Sequence, residues 1–211
     1  PTAGVKICGL STPETIHAAV QAGVTFIGFV FFPKSPRNVS AELARDLGAE
    51  IPPQVLKTGL FVKQSVEEIA NIVTTAKLDA VQLHGTYKAE EILAVKALTG
   101  KPVLWAKGIS CEADFGGIDA EVAATDYLLF DAKAPAGSDR PGGNALSFDW
   151  KLLANRTFPK PWMLAGGLNP DNVAEAMGKT GAKLVDVSSG VETAAGVKST
   201  QLIKDFVLAA R

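Results

Sequence analysis

The sequence predicts an α/β protein built as a compact, single-domain (β/α)8 barrel of the TIM-barrel type, and three observations lead to that prediction. Short apolar runs recur about every 25 residues, eight in all. Segments suited to helices lie between them, and no linker divides the 211 residues. Alternating strands and helices form parallel βα units joined by right-handed crossovers. A doubly wound open sheet also fits, but eight evenly spaced units favour the closed barrel.

The apolar runs are predicted to be strands buried on both faces. Each is short and rich in β-branched, aliphatic or aromatic residues, which is typical of parallel strands covered by helices. In chain order they are Val5–Gly9, Phe26–Phe32, Leu56–Val62, Ala80–Gly85, Pro102–Lys107, Tyr127–Asp131, Pro161–Gly167 and Leu184–Gly190.

The starts of several helices can be read from capping residues. Thr12 precedes a proline and a glutamate, and Ser40 precedes a second helical segment. Ser65 and Glu68 have the spacing of a capping box. Asn169, again followed by proline, is predicted to cap the seventh helix. The fifth helix is expected somewhere within residues 115–124.

Composition excludes several classes of protein. The 22.0 kDa chain is 47% hydrophobic with a formal net charge of −1, which argues against a nucleic-acid or membrane-surface partner. Its longest apolar stretch, Val24–Phe32, is about half of a membrane span. No signal peptide is visible, and two cysteines fit a reducing compartment. We therefore expect one cytoplasmic domain over residues 1–211, with no metal signature.

Two residues at strand ends are the candidate acid and base, since barrel chemistry lies where strands end and loops begin. Cys8 ends the first strand and shares its side with Lys6, whose ammonium would favour the thiolate. Asp131 ends an apolar strand that could keep its carboxyl protonated. The alternatives are that Cys8 is a small buried hydrophobic residue, and that Asp131 caps a helix or pairs with Lys133.

Two charges inside apolar strands bear on barrel closure. Lys6 lies in the first strand and Asp186 in the eighth, and these strands are neighbours only in a closed barrel. Buried charges are costly unless paired, so we expect an ion pair between them. Cys111 follows the fifth strand, across the barrel from Cys8, and is predicted to be a loop thiol outside any disulfide.

A phosphate site is predicted at the ends of the last two strands. Gly166 and Gly167 end the seventh strand, and Ser188, Ser189 and Gly190 end the eighth. Glycines let backbone N–H groups approach an anion, and serines add hydroxyl donors.

Two loops complete the predicted site. Arg37, after the second strand, suits a ligand carboxylate if it faces the barrel mouth. His84 ends the fourth strand, where its ring can either contact a ligand or hydrogen-bond to the backbone. The long segment 132–147, rich in glycine, is predicted to be a mobile cover.

These residues stand in motifs whose order and spacing cover nearly the whole chain. Together they resemble the phosphoribosylanthranilate isomerase family of tryptophan biosynthesis. The motifs are Val5-Lys6-Ile7-Cys8-Gly9, Gly28-Phe29-Val30-Phe31 with Lys34-Ser35-Pro36-Arg37, Val81-Gln82-Leu83-His84-Gly85, Leu129-Phe130-Asp131-Ala132-Lys133, Phe148-Asp149-Trp150, Gly166-Gly167-Leu168-Asn169-Pro170 and Val185-Asp186-Val187-Ser188-Ser189-Gly190-Val191-Glu192. The chain departs from the family at Gly142-Gly143-Asn144-Ala145, where a Gly-Gly-Ser-Gly run is common.

The resemblance implies an Amadori rearrangement of N-(5'-phosphoribosyl)anthranilate, with Asp131 as general acid and Cys8 as general base. It implies a small-molecule substrate, no cofactor and no metal, and leaves monomer or homodimer open. The substrate-binding residues so predicted are Arg37, His84, Gly166, Gly167, Asp186, Ser188, Ser189 and Gly190.

Two other functions are weighed against this one. The first is an aminoaldose isomerase of histidine biosynthesis, whose members resemble two fused half-barrels with phosphate signals in both halves. Here Gly-Gly occurs only in the second half, and the candidate base is a cysteine. The second is a barrel that only binds a phosphosugar, which the presence of both Cys8 and Asp131 disfavours.

Overall fold

The computed structural model describes residues 4–132 and 150–211, and its strands close into one barrel in the order β1 to β8. Every neighbouring pair is parallel, including β1 with β8, so the closed barrel is confirmed and the open sheet excluded. The strands are β1 Gly4–Cys8, β2 Phe26–Val30, β3 Leu56–Phe61, β4 Ala80–His84, β5 Val103–Ile109, β6 Tyr127–Ala132, β7 Trp162–Ala165 and β8 Leu184–Val187. The extent of the domain, 1–211, stays a prediction.

Helices follow the strands and cover the barrel. They are α1 Pro13–Ala22, α2 Ala41–Gly48, α3 Val66–Ala76, α4 Ala89–Thr99, α5 Asp119–Ala124, α6 Lys151–Ala154, α7 Val173–Thr180 and α8 Thr200–Ala209. A 3-10 turn, Glu112–Phe115, precedes α5, and a second, Ser189–Val191, follows β8. A small antiparallel hairpin, β9 Glu192–Ala194 with β10 Val197–Lys198, lies between that turn and α8.

Three of the four predicted caps are confirmed. The Thr12 and Ser40 side chains accept hydrogen bonds from the N–H groups of Thr15 and Leu43, and Ser65 forms the capping box with Glu68. Each bond satisfies an amide that the first helical turn leaves without a partner.

The start of α7 differs from the prediction. Asn169 Oδ1 accepts from the N–H groups of Asp171 and Asn172, while Asn172 Oδ1 accepts from the N–H of Asn169. This reciprocal pair caps a separate turn, so the continuous helix begins only at Val173.

Several strands end earlier than the apolar runs suggest. At β7 the chain turns into positive φ at Gly166 (+96°) and Gly167 (+67°), so the strand ends at Ala165. At β8, Ser188 leaves the extended region with ψ near −81°. The strands thus stop where the candidate loops begin.

The barrel interior is arranged in layers, because a (β/α)8 barrel with a shear of eight places alternate strands at one height. The observed registers put four inward-facing residues in each layer. The layer at the height of Cys8 comprises Cys8, Leu60, Ala106 and Ala165; the layer above it comprises Val30, His84, Asp131 and Ser188; and the floor layer below it comprises Gly28, Gln82, Leu129 and Asp186. Small and polar residues therefore concentrate at the carboxyl ends of the strands.

The seam between β1 and β8 carries the expected ion pair. Lys6 is 1% exposed, lies in register with Asp186, and its Nζ donates to Asp186 Oδ1 at 2.7 Å. Burial opposes the charge of Lys6, but the Asp186 carboxylate and the Cys8 side chain together outweigh burial, so the pKa of Lys6 is raised. The pair confirms both the predicted contact and the closure of the barrel.

We expect Lys6→Met and Asp186→Val each to lower the free energy of unfolding by about 3–5 kcal/mol, because each leaves a buried charge without its partner. The double variant should recover most of that loss, since it buries no charge. Urea unfolding followed by far-UV circular dichroism measures all three. Single losses that simply add in the double variant would contradict a coupled pair.

Candidate active site

The carboxyl ends of the strands surround a cavity of about 580 Å³. The structure brings all ten predicted site residues to its wall. They are Cys8, Arg37, His84, Asp131, Gly166, Gly167, Asp186, Ser188, Ser189 and Gly190. Residues from strands far apart in the sequence therefore share one cavity, as expected for this fold.

The cavity has an apolar side and a polar side. Val30, Phe32, Leu60, Val62 and Leu129 provide most of the apolar surface, chiefly from β2, β3 and the loops that follow them. The polar groups come from β1, β4, β6 and the ends of β7 and β8, together with Ser35 and Arg37 from the loop after β2. This division suits a ligand with an aromatic or aliphatic part and a polar, anionic part.

Cys8 points into the cavity from the end of β1 and is 5% exposed. Gly28 on β2 makes room for it, because a Cβ atom added to Gly28 would lie 2.9 Å from Cys8 Sγ. The chain therefore seats the thiol against a neighbouring strand that has no side chain at this point.

Lys6 acts on the pKa of Cys8 in the predicted direction, but a larger effect opposes it. Burial raises the pKa of the Cys8 thiol, and the nearby Asp186 carboxylate adds to the rise. The ammonium groups of Lys6 and Lys198 act in the opposite direction but do not overcome it. The sequence correctly placed Lys6 beside Cys8, but burial cannot be read from spacing, and it outweighs the lysine.

Asp131 reaches the cavity from β6, and β7 and β8 separate it from Cys8 around the barrel. Its carboxylate lies against the backbone of Gly166, where an added Cβ atom would come 2.5 Å from Asp131 Oδ1. The acid and the thiol therefore approach a ligand from different strands. Lys133, which the sequence offered as a partner of Asp131, lies outside the described residues, as do the predicted cover loop and Phe148-Asp149.

The predicted phosphate site is a set of close backbone approaches. An added Cβ at Gly190 would overlap the carbonyl oxygen of Leu168, so the loops after β7 and β8 contact each other through their main chains. An added Cβ at Gly167 would meet no atom within 4 Å, so this glycine borders open space. Two adjoining loops thus present backbone and the Ser188 and Ser189 side chains to one end of the cavity.

Arg37 reaches the cavity as predicted, but it is held by a residue to which the sequence gave no role. Its Nε and Nη2 donate to the two carboxylate oxygens of Glu192 at 2.7 and 2.6 Å. Nη1 makes no hydrogen bond within the described residues, which leaves it for a ligand. Gly9 permits this position, since an added Cβ there would lie 2.6 Å from Arg37 Cδ.

Glu192 also binds Lys198, and Lys198 binds the end of β8. Lys198 Nζ donates to Glu192 Oε2 at 2.6 Å, to the Ser188 carbonyl at 2.9 Å and to Ser188 Oγ at 3.2 Å. Burial opposes the charge of Glu192, but the bonds from Arg37 and Lys198 lower its pKa to about 2. Burial lowers the pKa of Lys198, although Glu192 acts against that. One carboxylate therefore fixes both the arginine and the serine loop.

Sequence reasoning missed Glu192, Lys198 and Gln82 as members of the site. Glu192 and Gln82 belong to the motifs that carry the family resemblance, and this membership was the signal that could have identified them. Lys198 lies in a two-residue strand without any motif, and nothing in the sequence marked it.

Cys8 and Cys111 are both free thiols, the first buried and the second exposed, as predicted. None of the helices in 4–132 and 150–211 has the length and apolar character needed to cross a membrane. No group of three or more His, Cys, Asp or Glu side chains that could hold a metal ion occurs in the same residues.

Comparison with known proteins identifies the family. A sequence profile for N-(5'-phosphoribosyl)anthranilate (PRA) isomerase matches residues 5–209. The N-(5'-phosphoribosyl)anthranilate isomerase of Cereibacter sphaeroides is 48% identical over 207 residues, 98% of each chain. The chain belongs to the phosphoribosylanthranilate isomerase family.

Two solved phosphoribosylanthranilate isomerases share its fold over nearly the full length. One, in complex with reduced 1-(o-carboxyphenylamino)-1-deoxyribulose 5-phosphate, has a TM-score of 0.83 at 34% identity and covers 99% of this chain and 98% of its own. The other represents monomers generated from the dimeric enzyme of Thermotoga maritima, with a TM-score of 0.82 at 34% identity and the same coverage.

These comparisons confirm the resemblance seen in the motifs. The chain is an isomerase of the phosphoribosylanthranilate isomerase family, which acts in tryptophan biosynthesis. Its own oligomeric state, monomer or homodimer, stays a prediction.

We expect Cys8 to titrate above the pKa of an exposed cysteine, because burial disfavours its thiolate. The pH at which Cys8 titrates is measured from its rate of alkylation by iodoacetamide as a function of pH, in a Cys111→Ser background. The same measurement on Cys111, in a Cys8→Ser background, is the reference. Asp186→Asn should move the inflection of Cys8 to lower pH, because it removes an anion and leaves the charge of Lys6 unopposed. Equal inflections for Cys8 and Cys111 would contradict the effect of burial.

We expect Glu192→Gln to destabilise the protein at neutral pH and to do so less as the solution becomes acidic. The pKa of this carboxyl is near 4.3 in an unfolded chain and about 2 in the fold. Its charge therefore contributes fully to the free energy of unfolding above about pH 4.3, and the contribution is lost as the pH falls towards about 2. Urea unfolding of both proteins from pH 7 to pH 3 measures the narrowing difference. Glu175→Gln, which breaks an exposed pair with Lys179, is the control and should change little. A difference independent of pH would show that the charge of Glu192 is not responsible.

Proposed function

We propose that this protein catalyses the Amadori rearrangement of N-(5'-phosphoribosyl)anthranilate to 1-(o-carboxyphenylamino)-1-deoxyribulose 5-phosphate, with Cys8 as general base and Asp131 as general acid. One observation carries the proposal. A thiol and a carboxyl group from separate strands face the same cavity, between a glycine-rich end and an arginine. Such a cavity can hold a substrate by its two anionic ends while two proton-transfer groups act on its middle.

The substrate would lie in the cavity with its carboxylate at the loop after β2 and its phosphate at the loops after β7 and β8. The phosphate is assigned to Gly167, Ser188 and Ser189, where the positive charge of Lys198 lies directly behind Ser188. The carboxylate of the anthranilate ring is assigned to Arg37, whose Nη1 is directed to no other described group. The ring itself would contact the apolar side of the cavity.

The first chemical step is assigned to Asp131. Its carboxyl group would donate a proton to the ring oxygen of the ribose as the bond between that oxygen and C1' breaks. The nitrogen lone pair forms the C1'–N double bond, which yields a protonated Schiff base. The proton thus moves from Asp131 to the sugar, and no electrons leave the substrate.

The second step is assigned to Cys8. Its thiolate would remove the proton from C2', and the electron pair of that C–H bond forms a C1'–C2' double bond while the Schiff base nitrogen is neutralised. The resulting enolamine gains a proton at C1' and loses one from the C2' hydroxyl to give the ketone. Cys8 ends protonated and Asp131 ionised, so one proton returns from the thiol to the carboxylate through solvent.

The raised pKa of Cys8 is compatible with this role. A higher pKa reduces the thiolate fraction at neutral pH but makes each thiolate a stronger base, and the two effects partly cancel in general base catalysis. A carbon acid such as C2'–H benefits from the stronger base. Each positioned proton transfer contributes about 10²–10⁴-fold, and holding the substrate at both ends accounts for further acceleration.

The first test is a turnover assay with freshly prepared N-(5'-phosphoribosyl)anthranilate, followed by the loss of its fluorescence. We expect turnover in the wild type and losses of about 10²–10⁴-fold in kcat for Cys8→Ala and for Asp131→Asn, because each removes one proton-transfer group. Cys111→Ser and Asp119→Asn, which change an exposed thiol and an exposed carboxylate, are matched controls and should retain wild-type rates.

The outcomes separate the reaction from its assigned residues. A wild-type rate in Cys8→Ala would exclude the thiol as the base while leaving the reaction in place. No turnover by a folded wild type that still binds the reduced product analogue would overturn the proposal. The aminoaldose substrate of histidine biosynthesis would then be tried in the same assay.

A further inference from the structure

A buried amide in the floor of the cavity lacks a hydrogen-bond partner. Gln82 is 3% exposed, faces the barrel interior from β4, and its Oε1 makes no hydrogen bond within the described residues. Buried polar atoms are nearly always paired, so an unpaired one calls for an explanation. Because Gln82 lines the cavity, a bound ligand can supply the missing partner.

A second buried polar atom without a partner lies away from the cavity, so a ligand there cannot pair with it. Trp105 Nε1 is also buried without a partner, but Trp105 faces the helices and does not line the cavity. Gln82, by contrast, belongs to the floor layer with Gly28, Leu129 and Asp186. The layer above it has alanine at two of its four positions, 106 and 165, and these small side chains leave space over the amide.

We propose that Gln82 Oε1 accepts a hydrogen bond from the N–H group that joins the aromatic ring to the sugar of the substrate. The inference rests on the function proposed above. Leu60 and Leu129 border the cavity close to Gln82, so the amide faces the region assigned to the ring. The ring carboxylate only accepts hydrogen bonds, and the sugar hydroxyls belong with the polar groups of β1 and β8. The bridging N–H is the donor that this side of the cavity can meet.

This contact would strengthen during the reaction. When the sugar ring opens, the bridging nitrogen becomes a protonated Schiff base, and its N–H donates more strongly than that of the neutral amine. An acceptor oxygen fixed in a site of low polarity stabilises the cation more than the ground state. Gln82 would therefore lower the barrier to ring opening as well as bind the substrate.

The test compares Gln82→Met, which keeps the length of the side chain without its polar atoms, with Gln82→Glu, which keeps an acceptor oxygen. We expect Gln82→Met to lose about 10–100-fold in kcat/KM, with most of the loss in kcat, as for a lost hydrogen bond to a charged group. Gln82→Glu should recover at least about tenfold of that loss. Because Gln82→Met removes an unpaired buried atom, its Tm should rise by about 2–4 °C.

The control is Thr58→Val. Thr58 is fully buried in the barrel below the floor layer and does not line the cavity, so its variant also removes a buried polar atom but should keep the wild-type kcat. A merely structural role for Gln82 predicts that its Met variant loses stability, or keeps full activity.

A ligand pair identifies the donor. The wild type should bind the reduced product analogue about tenfold more tightly than a counterpart with an ether oxygen in place of the bridging N–H, and Gln82→Met should bind the two equally. The same preference in both proteins, or wild-type kcat in Gln82→Met, would overturn the inference. Since wild-type turnover is measured in the same series, these results are distinct from a failure of the proposed function itself.

Discussion

The ion pair between Lys6 and Asp186 is the contact on which the rest of the site depends. It joins the first strand to the last, so it lies at the seam where the barrel closes, and its register sets the height of every inward-facing side chain. Cys8 lies two residues beyond Lys6 on the same face, and Asp186 forms part of the cavity floor. A buried ion pair adds little stability compared with apolar residues of similar size. Its value here is positional, because an apolar pair would close the seam without placing opposite charges under the thiol.

Arg37, Glu192 and Lys198 form a second group of charges with a different balance. Glu192 neutralises one of its two cations, so Arg37, Lys198 and Glu192 together leave one positive charge at the cavity. The pair at the seam is neutral. A substrate that carries a phosphate and a carboxylate therefore meets positive charge at the loops and a neutral pair beneath. This arrangement also explains why burial dominates the pKa of Cys8, since the lysine closest to it is already paired.

Much of the fold could be predicted from sequence because its signals are local. The strands are marked by eight short apolar runs, and the glycines that end them lie next to those runs. The helix caps Thr12, Ser40 and Ser65 likewise bond to residues only three positions away. Glu192 escaped prediction because its contact with Arg37 spans 155 residues. Lys198 escaped because its contacts with Glu192 and Ser188 depend on a short hairpin that no motif marks. The unpaired oxygen of Gln82 depends on the layers, which follow from the shear of the closed barrel. The pKa of Cys8 depends on burial, which outweighs the lowering by Lys6 that the spacing predicted.

Two features at the centre of the site reduce stability. The unpaired Gln82 Oε1 and the buried ion pair of Lys6 and Asp186 each raise the free energy of the fold relative to apolar residues in their places. Below the floor layer, Phe26, Ala80, Leu104 and Met163 form an apolar cluster in the barrel interior, next to Lys6 and Thr58. Protein interiors are closely packed, so this cluster supports the floor layer from below and limits rotation of the Gln82 side chain. In the complex proposed above, the Gln82 Oε1 atom would therefore already be in place to accept from the substrate.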